Sequence, residues 1–99
     1  MQRAVRTLSG HLGAWRKLAG LTQSQLADRA GIDRKTVIRI ESGDAVVSAE
    51  NLLRVCHALG VLAQVVAAAD PYETDVGRLR SDERLPQRVR PRDLRSGDG

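Results

Sequence analysis

Aromatic residues are almost missing from this chain: there is no Phe, one Trp and one Tyr. A core must then be built from Leu, Val, Ile and Ala, which suits packed helices better than a β-sandwich or barrel. The single cysteine, Cys56, excludes an internal disulfide. No apolar run approaches the roughly 20 residues of a membrane-spanning helix; the longest, Val61 to Ala69, is interrupted by Gln64. The stretch MQRAVRTLSG also lacks the apolar segment of a secretory leader, so a soluble cytoplasmic protein away from membranes is expected. Chemistry-bearing clusters are absent as well. Cys56 and His57 are neighbours, which on a helix point about 100° apart, and neither a base nor a second ligand pair stands nearby. Cys56 is expected in the core, His11 and His57 on the surface. No enzyme activity, metal or cofactor is expected.

What is present is an uneven distribution of charge. Residues 1–69 hold nine Lys/Arg against five Asp/Glu, whereas residues 70–99 hold seven of each. The basic surplus therefore belongs to the front of the chain, where it can attract a polyanion, and the rest is a balanced polyampholyte. A length of 99 residues leaves room for one small core with appendages.

Apolar residues Val5, Leu8, Leu12, Trp15, Leu18 and Ala19 recur at helical steps, predicting a first helix over 5–19 with a start weakened by Gly10 and Gly13. Trp15 reads as a core residue on this face, the alternative being an exposed interaction anchor. Gly20 is the stop. Thr22-Gln23-Ser24-Gln25 has the pattern of a capping box. It opens a second helix whose buried side is Leu26, Ala27 and Ala30, and Gly31 ends that helix. Asp33 is placed to cap a third helix, Arg34 to Glu41, with Val37 and Ile40 inward and Arg34, Lys35, Ile38, Arg39 and Ser42 outward. After Gly43, Ser48 caps a fourth helix, Ala49 to Leu59, which buries Leu52, Val55, Cys56 and Leu59 before Gly60.

Arg34 and Lys35 stand in the first turn of the third helix, where the helix dipole already places partial positive charge. Their position is useful only toward something negative outside the domain, and phosphates or guanine edges fit. The alternative is an ordinary solvated basic face.

Taken together, Leu21-Thr22-Gln23, Leu26-Ala27, Gly31-Ile32, Thr36-Val37, Arg39-Ile40-Glu41 and Gly43 resemble the helix-turn-helix of the lambda-repressor-like Cro/Xre family, over about residues 8–61. The resemblance implies a helix-turn-helix DNA-binding domain over 5–60, with the motif at 21–43 and the recognition helix at 33–42 in the major groove. It implies an ion pair between Arg16 and Glu41 that orients the recognition helix, and a phosphate contact from Gln23. Arg34, Lys35 and Arg39 are then the candidates for base edges, with Ile38 either touching a thymine methyl or resting against the second helix. Gln23, Thr22, Ser42 and Thr36 are the candidates for phosphate contacts. One departure stands out: many relatives carry Lys or Arg after the recognition helix, whereas this chain has Asp44-Ala45-Val46-Val47. Either Arg3, Arg6 or Lys17 compensates, or binding is weak without a partner protein.

Beyond Gly60, the valines at 61, 65 and 66 and the Asp70-Pro71 stop read as a β-strand over 61–69, the alternative being an alanine-rich helix. A lone strand leaves its backbone unpaired. Val61, Val65 and Val66 are accordingly expected in a strand that pairs with its copy in a two-fold dimer. That organisation resembles the HipB-type antitoxin repressors. The fold expected is thus mostly α: a four-helix lambda-repressor-like domain followed by a dimerisation strand and a tail over 70–99. A short helix is predicted from about Thr74 to Arg84, and the remainder, with Pro86 and Pro91, is expected to be disordered.

The function implied is that of a sequence-specific transcriptional regulator: a homodimeric repressor that binds an inverted repeat of double-stranded DNA. An antitoxin that represses its own operon and binds a toxin is one alternative. A protein-interaction adaptor without operator binding is another.

Overall fold

The computed structural model describes residues 1–73 and 75–84. They fall into two compact units, Met1–Val66 and the residues from Ala67 onward. The first unit holds α1 (Gln2–Leu18), α2 (Gln23–Ala30), α3 (Arg34–Glu41), α4 (Ala49–Ala58) and most of α5 (Leu62–Ala68). A 3-10 turn at Pro71–Glu73 and α6 (Asp75–Arg84) lie in the second.

The helix starts follow from local chemistry. Thr22 accepts a hydrogen bond from the Gln25 N–H through its hydroxyl (3.0 Å), while the Gln25 side chain accepts from the Thr22 N–H (2.9 Å), closing the capping box of α2. Ser48 accepts from the Asn51 N–H (3.0 Å) at the start of α4. Asp33 occupies the N-cap position of α3, but its carboxylate makes no capping bond. The glycines that follow the helices adopt left-handed backbone angles. At Gly43 this conformation comes with a close approach: φ is +84°, and an added Cβ would lie 3.2 Å from Cγ of Arg6. Gly43→Ala is expected to cost about 1–2 kcal/mol, the penalty of left-handed backbone for an L-residue. Gly20→Ala, at φ +73° with open space around it, should cost somewhat less. Paired thermal melts check the order.

The core of the first unit is small and aliphatic. Leu12 of α1, Leu26, Ala27 and Ala30 of α2, Val37 and Ile40 of α3, and Val55 and Cys56 of α4 are all buried, as are Leu21 and Val61. Burial raises the Cys56 thiol pKa above its ordinary value, which suits a packing residue and opposes thiolate chemistry. His11 and His57 are exposed.

Two expectations are overturned. Residues 61–69 do not form a strand, and no strand occurs among the described residues; Leu62–Ala68 is α-helical. The Val61 N–H donates to the Cys56 carbonyl (2.9 Å) and the Val65 N–H to the Val61 carbonyl (3.0 Å), so the backbone satisfies itself without a second chain. Val61, Leu62 and Val65 sit at helical spacing against the core, while Val66 is exposed. Helix propensity costs a valine only a few tenths of a kcal/mol, which burial of the same side chains outweighs. The structural basis offered for a strand-paired dimer is thereby removed.

The second correction concerns α1. Of its apolar stripe only Leu12 is fully buried and Val5 half-buried; Leu8, Leu18 and Ala19 are exposed, and Trp15 is 45% exposed and no core residue. Among the helices α1 packs chiefly on α3, which leaves the Leu8, Trp15 and Leu18 side of the stripe uncovered.

In the second unit, Arg78 of α6 pairs with Asp75 (2.6 Å) and donates to the Tyr72 carbonyl. The helix expected from Thr74 to Arg84 is present from Asp75. The disorder expected beyond it falls on residues 85–99, outside those described.

Candidate nucleic-acid interface

The site is built on α2, the turn Gly31-Ile32-Asp33, and α3. Gly31 takes the left-handed angle (φ +71°) that turns the chain, and the Ile32 N–H donates back to the Ala27 carbonyl (3.1 Å). Val37 and Ile40 anchor α3 in the core. Its opposite side is then committed to solvent: Arg34, Lys35 and Arg39 are exposed, and Thr36 and Ile38 are half-buried. Lys35 and Arg39, four residues apart, lie along one line of the helix, and Arg34 and Ile38 along the next. Ile38 is therefore partly covered and does not project fully. Arg34 and Lys35 make no ion pair among the described residues.

The orientation of α3 is set from its other end. Glu41 accepts from Arg16 in a fork, Nε to Oε2 at 2.7 Å and Nη2 to Oε1 at 3.1 Å. The same guanidinium donates from Nη1 to the Leu21 carbonyl (2.8 Å). Both partners are nearly buried, at 13% and 11% side-chain exposure. The Arg16 pKa is raised, first by its hydrogen bond to Glu41 and further by that charge, against an opposing effect of burial. The ion pair expected between these residues is thus present, and it joins α1 to α3.

Gln23 adds a third member, because its side-chain amide donates to Glu41 Oε1 (3.2 Å). One amide hydrogen of Gln23 is thereby occupied, and the other remains to donate. Thr22 spends its oxygen on the cap and keeps its hydroxyl hydrogen. Ser42 donates its hydroxyl to the Arg39 carbonyl (2.9 Å), so it must rotate before it can donate to anything else.

Sequence reasoning missed the surroundings of Arg39. Its Nε donates to Asp44 Oδ2 (2.9 Å) and its Nη2 to the Val46 carbonyl (3.1 Å). The second oxygen of Asp44 accepts the Val46 N–H (2.8 Å). That backbone bond, followed by the Arg39 hydrogen bond, holds the Asp44 carboxyl below the usual carboxylate pKa. The only signal available was an acidic residue five positions after Arg39, in a loop expected to be basic.

Two short helices crossing at a glycine turn, the second core-anchored on one face and basic on the other, define a helix-turn-helix unit. The chain belongs to the helix-turn-helix family, of Cro/C1 type, whose profile matches residues 12–64. An uncharacterized HTH-type transcriptional regulator of Methanothermobacter thermautotrophicus is 44% identical over 45 residues, covering 46% of this chain and 65% of that protein. The match thus spans just under two thirds of that relative's length. No solved structure gives a significant match. No helix among the described residues is long and apolar enough to cross a membrane.

Proposed function

We propose that this chain is a sequence-specific DNA-binding transcriptional regulator of the cytoplasm, acting as a homodimeric repressor on an inverted repeat. The observation that carries the reading is the outer face of α3: Arg34 and Lys35 are exposed and have no acidic partner among the described residues, on a helix anchored from behind by Val37 and Ile40. Cations held this way match the negative acceptors of the major groove, where a good Arg or Lys contact to guanine O6 and N7 is worth about 1–3 kcal/mol of discrimination. Gln23 and Thr22, at the start of α2, are the proposed phosphate contacts. The name of the archaeal relative points the same way. The strand that was to build the dimer is a helix, so the symmetry of the bound site is what decides the dimer.

Selection of bound duplexes from a random pool by the purified chain tests the reading. A two-fold symmetric motif with half-sites about one helical turn apart is expected for a dimer. Arg34→Ala should lower affinity for the selected duplex about 5- to 150-fold and relax one position of the motif. Gln23→Ala should weaken all duplexes alike. Failure to enrich any duplex would leave the adaptor reading, and copurification with a toxin would favour the antitoxin.

A further inference from the structure

Resting on the DNA-binding reading above, we infer that Asp44 is a positioning residue for base recognition, fixing Arg39 so that the terminal edge of its guanidinium faces outward to read a guanine. A guanidinium has five N–H donors in a rigid plane. The bonds from Nε to Asp44 and from Nη2 to the Val46 carbonyl occupy the side edge. Three donors remain, two on Nη1 and one on Nη2. One from each nitrogen points forward in parallel, the fork that matches O6 and N7 of a guanine.

The bracket that holds Arg39 is itself held. Asp44 uses both carboxylate oxygens, Oδ1 for the Val46 N–H and Oδ2 for Arg39 Nε, so Asp44-Ala45-Val46 curls into a turn around the arginine. The left-handed angle at Gly43 (φ +84°) starts that turn directly after α3. The pair is not an inward-facing structural contact: the Arg39 side chain is 53% exposed and that of Asp44 32%. An ion pair so exposed contributes little to folding. Its effect is on the arginine, a side chain whose ordering at an interface would otherwise oppose binding. Lys35, one helical turn back on the same line, has no such bracket among the described residues. The loop that lacks basic residues for phosphate contact thus acts by orienting one that precedes it.

Asp44→Asn separates the two halves of the bracket. The amide oxygen can still accept the Val46 N–H, but the amide nitrogen then meets Arg39 Nε donor to donor. The experiment is selection from a random duplex pool by the full chain, run on wild type, Asp44→Asn, Asp44→Ala and Arg39→Ala, with melting temperatures measured alongside. The wild type is expected to enrich a guanine that Arg39→Ala no longer selects. At that same position both Asp44 variants should lose about two- to tenfold in preference, the cost of ordering one long side chain, with other positions and the melting temperature unchanged. Unaltered preference in both Asp44 variants overturns the assignment. So does a uniform gain in affinity for all duplexes, which would make Asp44 a source of repulsion. A large loss of melting temperature in both would make it a folding residue instead. Enrichment of no duplex by the wild type overturns the DNA-binding reading, and this assignment with it, whereas wild-type enrichment with unaltered Asp44 variants overturns this assignment alone.

Discussion

Leu26→Ala is expected to lower the unfolding free energy by about 2–5 kcal/mol, the range for deleting most of a buried leucine side chain. Leu26 is fully buried in α2, among the largest side chains in a core that contains no Phe. It shares one buried cluster with Leu12, Val37, Ile40 and Val55 and with Ala27, Ala30 and Cys56, and the last three are too small to fill a cavity by shifting. A unit of 66 residues has a total stability of only about 3–10 kcal/mol. The substitution therefore removes a large part of it, and a fraction of the molecules should be unfolded at 37 °C. Leu26→Met, which conserves volume, should cost less than about 1.5 kcal/mol. Urea unfolding followed by circular dichroism measures both. Equal losses would show that the volume at this position is not what matters.

Glu41→Ala is the second large effect, about 3 kcal/mol, as for removing one partner of a buried pair. The Arg16 guanidinium would keep only the Leu21 carbonyl, and Gln23 would lose its acceptor. The penalty comes from charge left without a counterpart, not from attraction lost, so the pair responds differently when both members go. Arg16→Met with Glu41→Leu should cost clearly less than the sum of the single changes. Additive losses in a double-mutant cycle would mean that the two residues act independently.

The helices up to α4 were legible in the sequence because their limits are set by residues a few positions apart. Thr22 with Gln25, Ser48 before α4, and a glycine after each helix encode starts and stops locally. The pairing of Arg16 with Glu41 was legible only through family resemblance, since nothing in either residue's neighbourhood indicates a partner 25 positions away. The α5 region misled because its valines carry a local β preference, whereas the outcome depended on Val61 and Val65 reaching the buried core of the unit. Trp15 misled for the complementary reason: helical spacing names a face, but only the assembled unit shows how much of that face is covered. The bracket on Arg39 depends on the direction of a loop, and loop direction leaves little trace in composition.

The exposure of Trp15 also gives the molecule an optical character. As the chain's single Trp, 45% exposed on α1, it already meets water in the folded state, so only part of its surroundings is left for unfolding to change. Its emission is accordingly a poor gauge of folding and a sensitive one for contact. Anything that settles on the uncovered stripe of α1 replaces water at the indole, and the colour of the light it emits shifts to the blue.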